Sequence, residues 1–142
     1  MLLENTAGSG SWIGYKFEHI KAIIDKVGPG ENIGVCLDTA HTFEAGYDIR
    51  TKAGLDGALK KFDKLLGLSR IKVVHFNDSL SALGSRVDRH QHIGKGNIGL
   101  QAMARIINHP KLKNAAFIME TPKKTDNDDK RNLATVRRLI RG

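Results

Sequence analysis

Four short apolar runs in this chain each end in, or carry at the end, an acid or a histidine, and each is followed by a segment of helical periodicity. The runs are Met1–Leu3, closed by Glu4; Ile33–Leu37, closed by Asp38; Ile71–Phe76, which carries His75; and Ala115–Met119, closed by Glu120. Met1–Leu3 is too short to read as a strand unaided and gains its meaning from the series. Apolar residues then recur at helical spacing: Phe17, Ile20, Ile23, Ile24 and Val27; Leu55, Leu59, Phe62, Leu65 and Leu66; Ile98, Met103, Ile106 and Ile107; Leu133, Val136, Leu139 and Ile140. Gly28-Pro29-Gly30, Gly67 and His109-Pro110 supply the stops. Between them, Asp38–Arg50 and Gly84–Gly99 read as loops. Strand, loop and helix in strict alternation predict an α/β fold with a parallel sheet and right-handed crossovers. Four βα units make half of a (β/α)8 barrel; a four-stranded open sheet competes, and length alone favours it. With no internal repeat, low-complexity segment or linker, residues 1–142 read as one domain.

The chain has 142 residues, 40% hydrophobic and 27% charged, which suits a soluble globular domain and excludes a disordered one. No apolar run approaches the roughly 20 residues needed to cross a bilayer. Met1–Asn5 shows no basic region or cleavage pattern, so no signal peptide and no membrane partner are expected. The single cysteine, Cys36, cannot form an internal disulfide and reads as a small buried hydrophobe on a strand. Together these readings place the chain in the cytoplasm. The net charge of +8 favours a polyanionic partner such as nucleic acid, although a merely solubilised surface would give the same balance. Part of the excess, from Lys123 to Arg141, follows Asp126, Asp128 and Asp129. That order is ordinary charging of a helix with acids first and bases last.

The chemistry gathers at the strand ends. In a parallel sheet the carboxyl ends of the strands share one edge, where active sites lie. Glu4, Asp38, His75 and Glu120 occupy that edge, and the following loops add His41, Asp88 and His90. Mixed imidazole and carboxylate ligation suits zinc or manganese better than magnesium or calcium. Taken singly, Asp38 and His41 could be a helix cap or a loop pair, and Glu4 or Glu120 could pair with a lysine. Four successive strands ending this way are hard to obtain from packing, because such groups are costly to bury unless paired or liganded. Asn5, Asn77 and Asp78 stand beside candidate ligands and could orient them. His92 could orient a ligand or phosphate, while His19 and His109 are expected to face solvent.

Glu4-Asn5-Thr6-Ala7-Gly8, Gly34–His41, Ala45-Gly46-Tyr47-Asp48, His75-Phe76-Asn77-Asp78 and Gly84–His90 resemble the endonuclease IV family of apurinic/apyrimidinic DNA repair enzymes. The resemblance runs in one order along essentially the whole chain. It implies a (β/α)8 barrel of the xylose isomerase-like type and a three-zinc cluster. The implied activity is a hydrolase's: cleavage of the phosphodiester 5′ to abasic sites in double-stranded DNA, as in base excision repair. By resemblance Glu4 bridges the first and second zinc ions, and Asp38, His75 and Glu120 complete the second. The resemblance also makes Glu4 and Glu120 the catalytic carboxylates. It likewise implies that His41, Asp88 and His90 hold the third zinc and that Arg89 is placed to meet DNA phosphate.

The resemblance also implies that this chain corresponds to the C-terminal half of the family barrel, strands five to eight. The two histidines that complete the first zinc site belong to the other half. The expected partner is therefore that half or a second copy of this chain, and weak or no activity is expected from the chain alone. Two other readings fit parts of the pattern. A single-metal sugar isomerase or epimerase of the same superfamily would use a similar Glu, Asp, His, Glu set, but not the Asp88-Arg89-His90 element. A non-catalytic zinc- or DNA-binding half of a split enzyme is the other.

Overall fold

Residues 1–28 and 32–141 are described in a computed structural model of the chain. Strands β1 (Leu2–Glu4), β2 (Gly34–Asp38), β3 (Ile71–His75) and, later in the chain, β6 (Ala116–Ile118) form one sheet in the order β1-β2-β3-β6. All three pairings are parallel. The helices that follow these strands are α1 (Phe17–Val27), α3 (Lys52–Leu66), α4 (Leu100–Ile107) and α5 (Asn127–Leu139). The strand–helix alternation expected from the sequence is thus present, with each helix bracketed by its apolar stripe.

Register explains why one edge of the sheet is chemical. Glu4 lies opposite Cys36, Asp38 opposite His75, and His75 opposite Ile118, so Glu120 falls two residues beyond. Partners in a parallel pair face the same side, and side chains alternate along each strand. Glu4, Asp38 and His75 therefore share one face of the sheet near its carboxyl edge. The alternate residues Val35, Leu37, Val74 and Phe76 point the other way, into a core completed by Phe17, Leu59, Phe62, Met103 and Ile106. Each fully buried side chain of this kind contributes on the order of 2 kcal/mol. Phe17 and Phe62 meet edge to face with ring centroids 5.2 Å apart. The helices cover this face, while Leu2, Ala116 and Ile118 on the other are exposed. Helices on one face and an open opposite face describe an arc of a barrel rather than a doubly covered open sheet.

Two predicted loops contain structure. The segment Asp38–Arg50 holds a short helix, α2 (Thr39–Glu44), started by the Asp38 carboxylate, which accepts the His41 N–H at 2.8 Å. Its six residues are all buried, so no polar and apolar alternation betrays it. Within the stretch from Asp78 to Gly99, β4 (Asp78–Ser79) and β5 (His90–Gln91) pair antiparallel. Two-residue strands are below the length at which periodicity can be read. Other boundaries shift by one or two residues: Ile98 lies ahead of α4 though buried, and Ile140 lies just beyond α5. Gly28 ends α1 with φ 93°; Pro29 and Gly30 of the predicted stop lie outside the described residues. Among the described residues no helix is long and apolar enough to cross a membrane.

Two glycines of α3 differ in what surrounds them. A Cβ on Gly54 would lie 1.8 Å from the Asp48 carbonyl oxygen, whereas among the described residues nothing lies within 4 Å of one on Gly57. Replacing an exposed helical glycine by alanine stabilises by about 1 kcal/mol through helix propensity. Gly57→Ala is accordingly expected to raise unfolding free energy by about that amount, and Gly54→Ala to lower it by more. Urea denaturation of both variants checks this; equal effects at the two positions would contradict the packing.

Candidate metal centre

His75 is the centre of the first group of side chains. Its Nδ1 lies 3.0 Å from Glu4 Oε1, 3.1 Å from Glu120 Oε2 and 3.9 Å from Asp38 Oδ2. These four come from the ends of four parallel strands, as the sequence leads one to expect. Asp38 is fully buried. Its Oδ1 accepts the His41 N–H and its Oδ2 accepts an amide hydrogen of Asn77 at 2.8 Å. The Asn77 side-chain oxygen accepts the Glu120 N–H at 2.7 Å. One asparagine thus fixes an acid at the end of β2 and the backbone beside an acid after β6. Asn5 does the same at β1, its Oδ1 accepting the Asp38 N–H at 2.7 Å.

The second group is formed by His41, Asp88 and His90. His41 Nδ1 lies 2.8 Å from the Asn5 carbonyl oxygen, and His90 Nδ1 lies 3.1 Å from the Glu120 carbonyl oxygen. A carbonyl only accepts, so each Nδ1 carries the proton and each Nε2 presents a lone pair. The two Nε2 atoms face each other at 3.4 Å. Asp88 closes the triangle, its Oδ2 3.2 Å from His41 Nε2 and its Oδ1 3.6 Å from His90 Nε2. Tetrahedral zinc with bonds of about 2.0–2.1 Å sets its donor atoms roughly 3.4 Å apart. The two opposed lone pairs at that spacing fit a divalent ion between them, with Asp38 close enough to complete a donor set with both rings and Asp88 one with His41 and Glu44. Asp38 Oδ2 lies 3.6 Å from His90 Nε2 and links the two groups. For His41, burial disfavours the charged ring, but Asp38, Asp88, the Asn5 carbonyl and Glu4 outweigh it and raise the pKa. The negative surroundings that do so would equally favour a bound cation.

The structure brings all seven predicted residues together, along with Arg89, which is exposed between Asp88 and His90. Arg89, His90, Glu120 and Lys124 line an open cleft of about 570 Å³ beside the second group. A cavity of about 620 Å³ between α3 and α4, bordered by Lys52, Arg105 and His109, contains none of the seven. Asn5 and Asn77 orient the site as expected, but Asp78 does not. Its carboxylate accepts the N–H groups of Ser79, Gly96 and Ile98, anchoring the loop ahead of α4. Cys36 is buried, and burial, followed by the nearby Glu4, pushes its thiol up to about 12; it stands close to Glu4 and His75.

The other histidines are held within the fold. His19 is half-buried, its Nδ1 accepting the Gly14 N–H, and His109 sits 3.0 Å from Asp56; neither faces solvent freely. His92 is 3.0 Å from the Asn132 side-chain amide. The sequence reading missed Glu44, which is fully buried on α2. Burial above all pushes its carboxyl up to about 7, against hydrogen bonds from Ser79 and the Arg89 N–H that pull it down. Its spacing from His41, three residues along one helix, is the signal that could have found it, had α2 been recognised.

Comparison with known proteins matches the chain along nearly its whole length. The model of the xylose isomerase-like TIM barrel family matches residues 1–141. A protein of Chloroflexus aurantiacus named probable endonuclease 4 is 46% identical over 143 residues, covering all of this chain and 50% of its own length. One of Halothermothrix orenii with the same name is 52% identical over 128 residues, 90% of this chain and 46% of that protein. The crystal structure of endonuclease IV from Thermus thermophilus superimposes with a TM-score of 0.85 at 40% identity, covering 97% of this chain and 48% of that one. The chain spans about half the length of the curated relatives it matches. With its parallel sheet, its helices on one face and a family match along 1–141, this chain belongs to the xylose isomerase-like TIM barrel family.

Proposed function

We propose that residues 1–142 form a single partial-barrel domain, strands five to eight of the family barrel, that supplies zinc and DNA binding to an endonuclease cleaving 5′ to abasic sites. The observation that carries the metal reading is the pair of opposed Nε2 lone pairs of His41 and His90 at 3.4 Å, closed by Asp88. Glu4, Asp38, His75 and Glu120 are the donors for one ion, and His41, Asp88 and His90 for another. A divalent ion held there supplies Lewis-acid polarisation of a phosphoryl oxygen and a water acidic enough to attack near neutral pH. The second group also weighs against a single-metal sugar isomerase, which needs only the strand-end set. Relatives named endonuclease 4 support the same choice.

The chain's own residues would act by position and charge. The Asn5 and Glu120 carbonyls hold the two imidazoles in the tautomer that leaves Nε2 free. Asn77 and the His41 N–H hold Asp38 in place. Glu4 and Glu120, both partly exposed, are the carboxylates open to a substrate phosphate. Arg89 would meet a DNA phosphate across the open cleft, and the net charge of +8 favours the polyanion. The setting would be intracellular, on DNA.

Glu4 is the only first-ion donor that the resemblance assigns to this chain, so full activity calls for a complementary half or a second copy. The exposed Leu2 and Ile118 lie on the strands at the two edges of the sheet, where an unpaired strand invites another. Purified zinc-loaded chain is expected to nick an abasic-site duplex weakly or not at all, and to gain activity when the other half of a relative is supplied. Strong nicking by the monomeric chain would overturn the need for a partner. His41→Ala is expected to reduce bound zinc by one equivalent while leaving the circular dichroism spectrum unchanged. Zinc content equal to that of the unmodified chain would refute the assignment of His41.

A further inference from the structure

Glu44 is fully buried at the C-terminal end of α2 and is not among the seven donors. Its Oε1 accepts the Ser79 hydroxyl at 2.7 Å and the Arg89 N–H at 3.1 Å. Its backbone carbonyl accepts the Arg86 N–H at 3.0 Å, and that of Phe43 accepts the Gly84 N–H at 3.1 Å. Hydrogen bonds from four residues of the segment Ser79–Arg89 therefore end on the last turn of α2. Arg89 stands between Asp88 and His90, so its N–H is the backbone group placed to fix both.

Elsewhere the segment is held at Arg86, whose carbonyl accepts the Ser9 hydroxyl at 2.9 Å, at Leu80 and Ser81, whose carbonyls accept from the Asn97 side chain, and by the Leu80 N–H on the Arg89 carbonyl at 2.8 Å. The Arg89 N–H itself is given to Glu44. Arg86 adopts φ 55°, the left-handed region that costs a residue with a Cβ about 1–2 kcal/mol. The β4–β5 ladder pairs only Asp78 with Gln91 and Ser79 with His90, too short to be stable alone. Among the described residues Glu44 Oε2 is buried without a hydrogen-bond partner, a cost that a residue serving packing alone would avoid.

We propose that Glu44 is a positioning residue that clamps the Ser79–Arg89 segment onto α2, so that Asp88 and His90 meet His41 at ion-binding separations. It acts through Ser79 and the Arg89 N–H. The consequence for the ion rests on the reading that His41, Asp88 and His90 hold one; the clamp itself does not.

Two measurements separate these. In the metal-free chain, amide hydrogen exchange at Arg89 is expected to quicken about tenfold in Glu44→Ala, from loss of its side-chain acceptor. Glu44→Gln, which keeps an acceptor oxygen, should stay close to the original rate. Unchanged exchange in Glu44→Ala, or equal acceleration in both variants, overturns the clamp. In zinc titrations, Glu44→Ala is expected to weaken the ion that His41→Ala removes by about 10–100-fold, with the remaining ion retained. Glu44→Gln should restore most of that affinity. Undiminished affinity in Glu44→Ala overturns the proposed effect on the ion, whereas failure of His41→Ala to remove any ion overturns the metal reading and leaves the exchange result to decide the clamp. Should Glu44→Ala not fold, Ser79→Ala takes its place in both measurements. It is expected to shift both in the same direction, and no change in either overturns the clamp.

Discussion

A buried acid must have its oxygens satisfied, and Asp38 is the buried acid on which this structure turns. Its Oδ1 accepts the N–H of His41, which starts α2, and its Oδ2 accepts from Asn77. Its own N–H is given to Asn5. These three contacts tie the end of β2 to the segments following β1 and β3. Because Asn77 also holds the Glu120 N–H, the end of β6 joins the same network. One satisfied carboxylate thus sets the relative heights of four strand ends, and with them the acids and histidine those ends carry.

His41 is where this network becomes chemistry. The helix that Asp38 starts carries His41, and the Asn5 carbonyl turns its ring so that Nε2 points outward. The Glu120 carbonyl does the same for His90. Backbone carbonyl acceptors therefore decide the tautomer of both rings, as a second layer of contacts commonly does around metal-binding histidines. Asp38 lies within 3.9 Å of a nitrogen of His75 and 3.6 Å of one of His90, so the two groups share an electrostatic wall. Cations placed on either side of one carboxylate would repel each other less.

The sheet pays for this arrangement with an open face. Side chains alternate across it, so the residues that build the core against the helices leave Leu2 and Ile118 on the other side in contact with solvent. In a closed barrel that side is filled by layers of side chains from all the strands. The likeness to about half of each relative and the exposed inner face are two views of one fact.

The sequence by itself determined the four strands, their helices and the residues at the strand ends. Those follow from local rules: apolar periodicity, glycine stops, and the cost of placing acids and histidines where they would be buried. It marked Glu4, Asp38, His75 and Glu120 because each lies at or just past the end of an apolar run. Asp88 and His90 were visible as a spaced pair, and Asn5 and Asn77 as neighbours of candidate ligands. It misjudged Asp78, which looks equivalent to Asn77 in sequence but turns to the loop ahead of α4. It missed α2, whose six residues are all buried and so show no amphipathic signal, and Glu44 with it. Only the tertiary structure decided which imidazole nitrogens face each other, that Asp38 stands between two groups, and that the segment carrying Asp88 and His90 rests on Glu44. Those are distances between residues tens of positions apart, and they are set by strand register and by hydrogen bonds to backbone carbonyls, neither of which is written in the identity of a side chain.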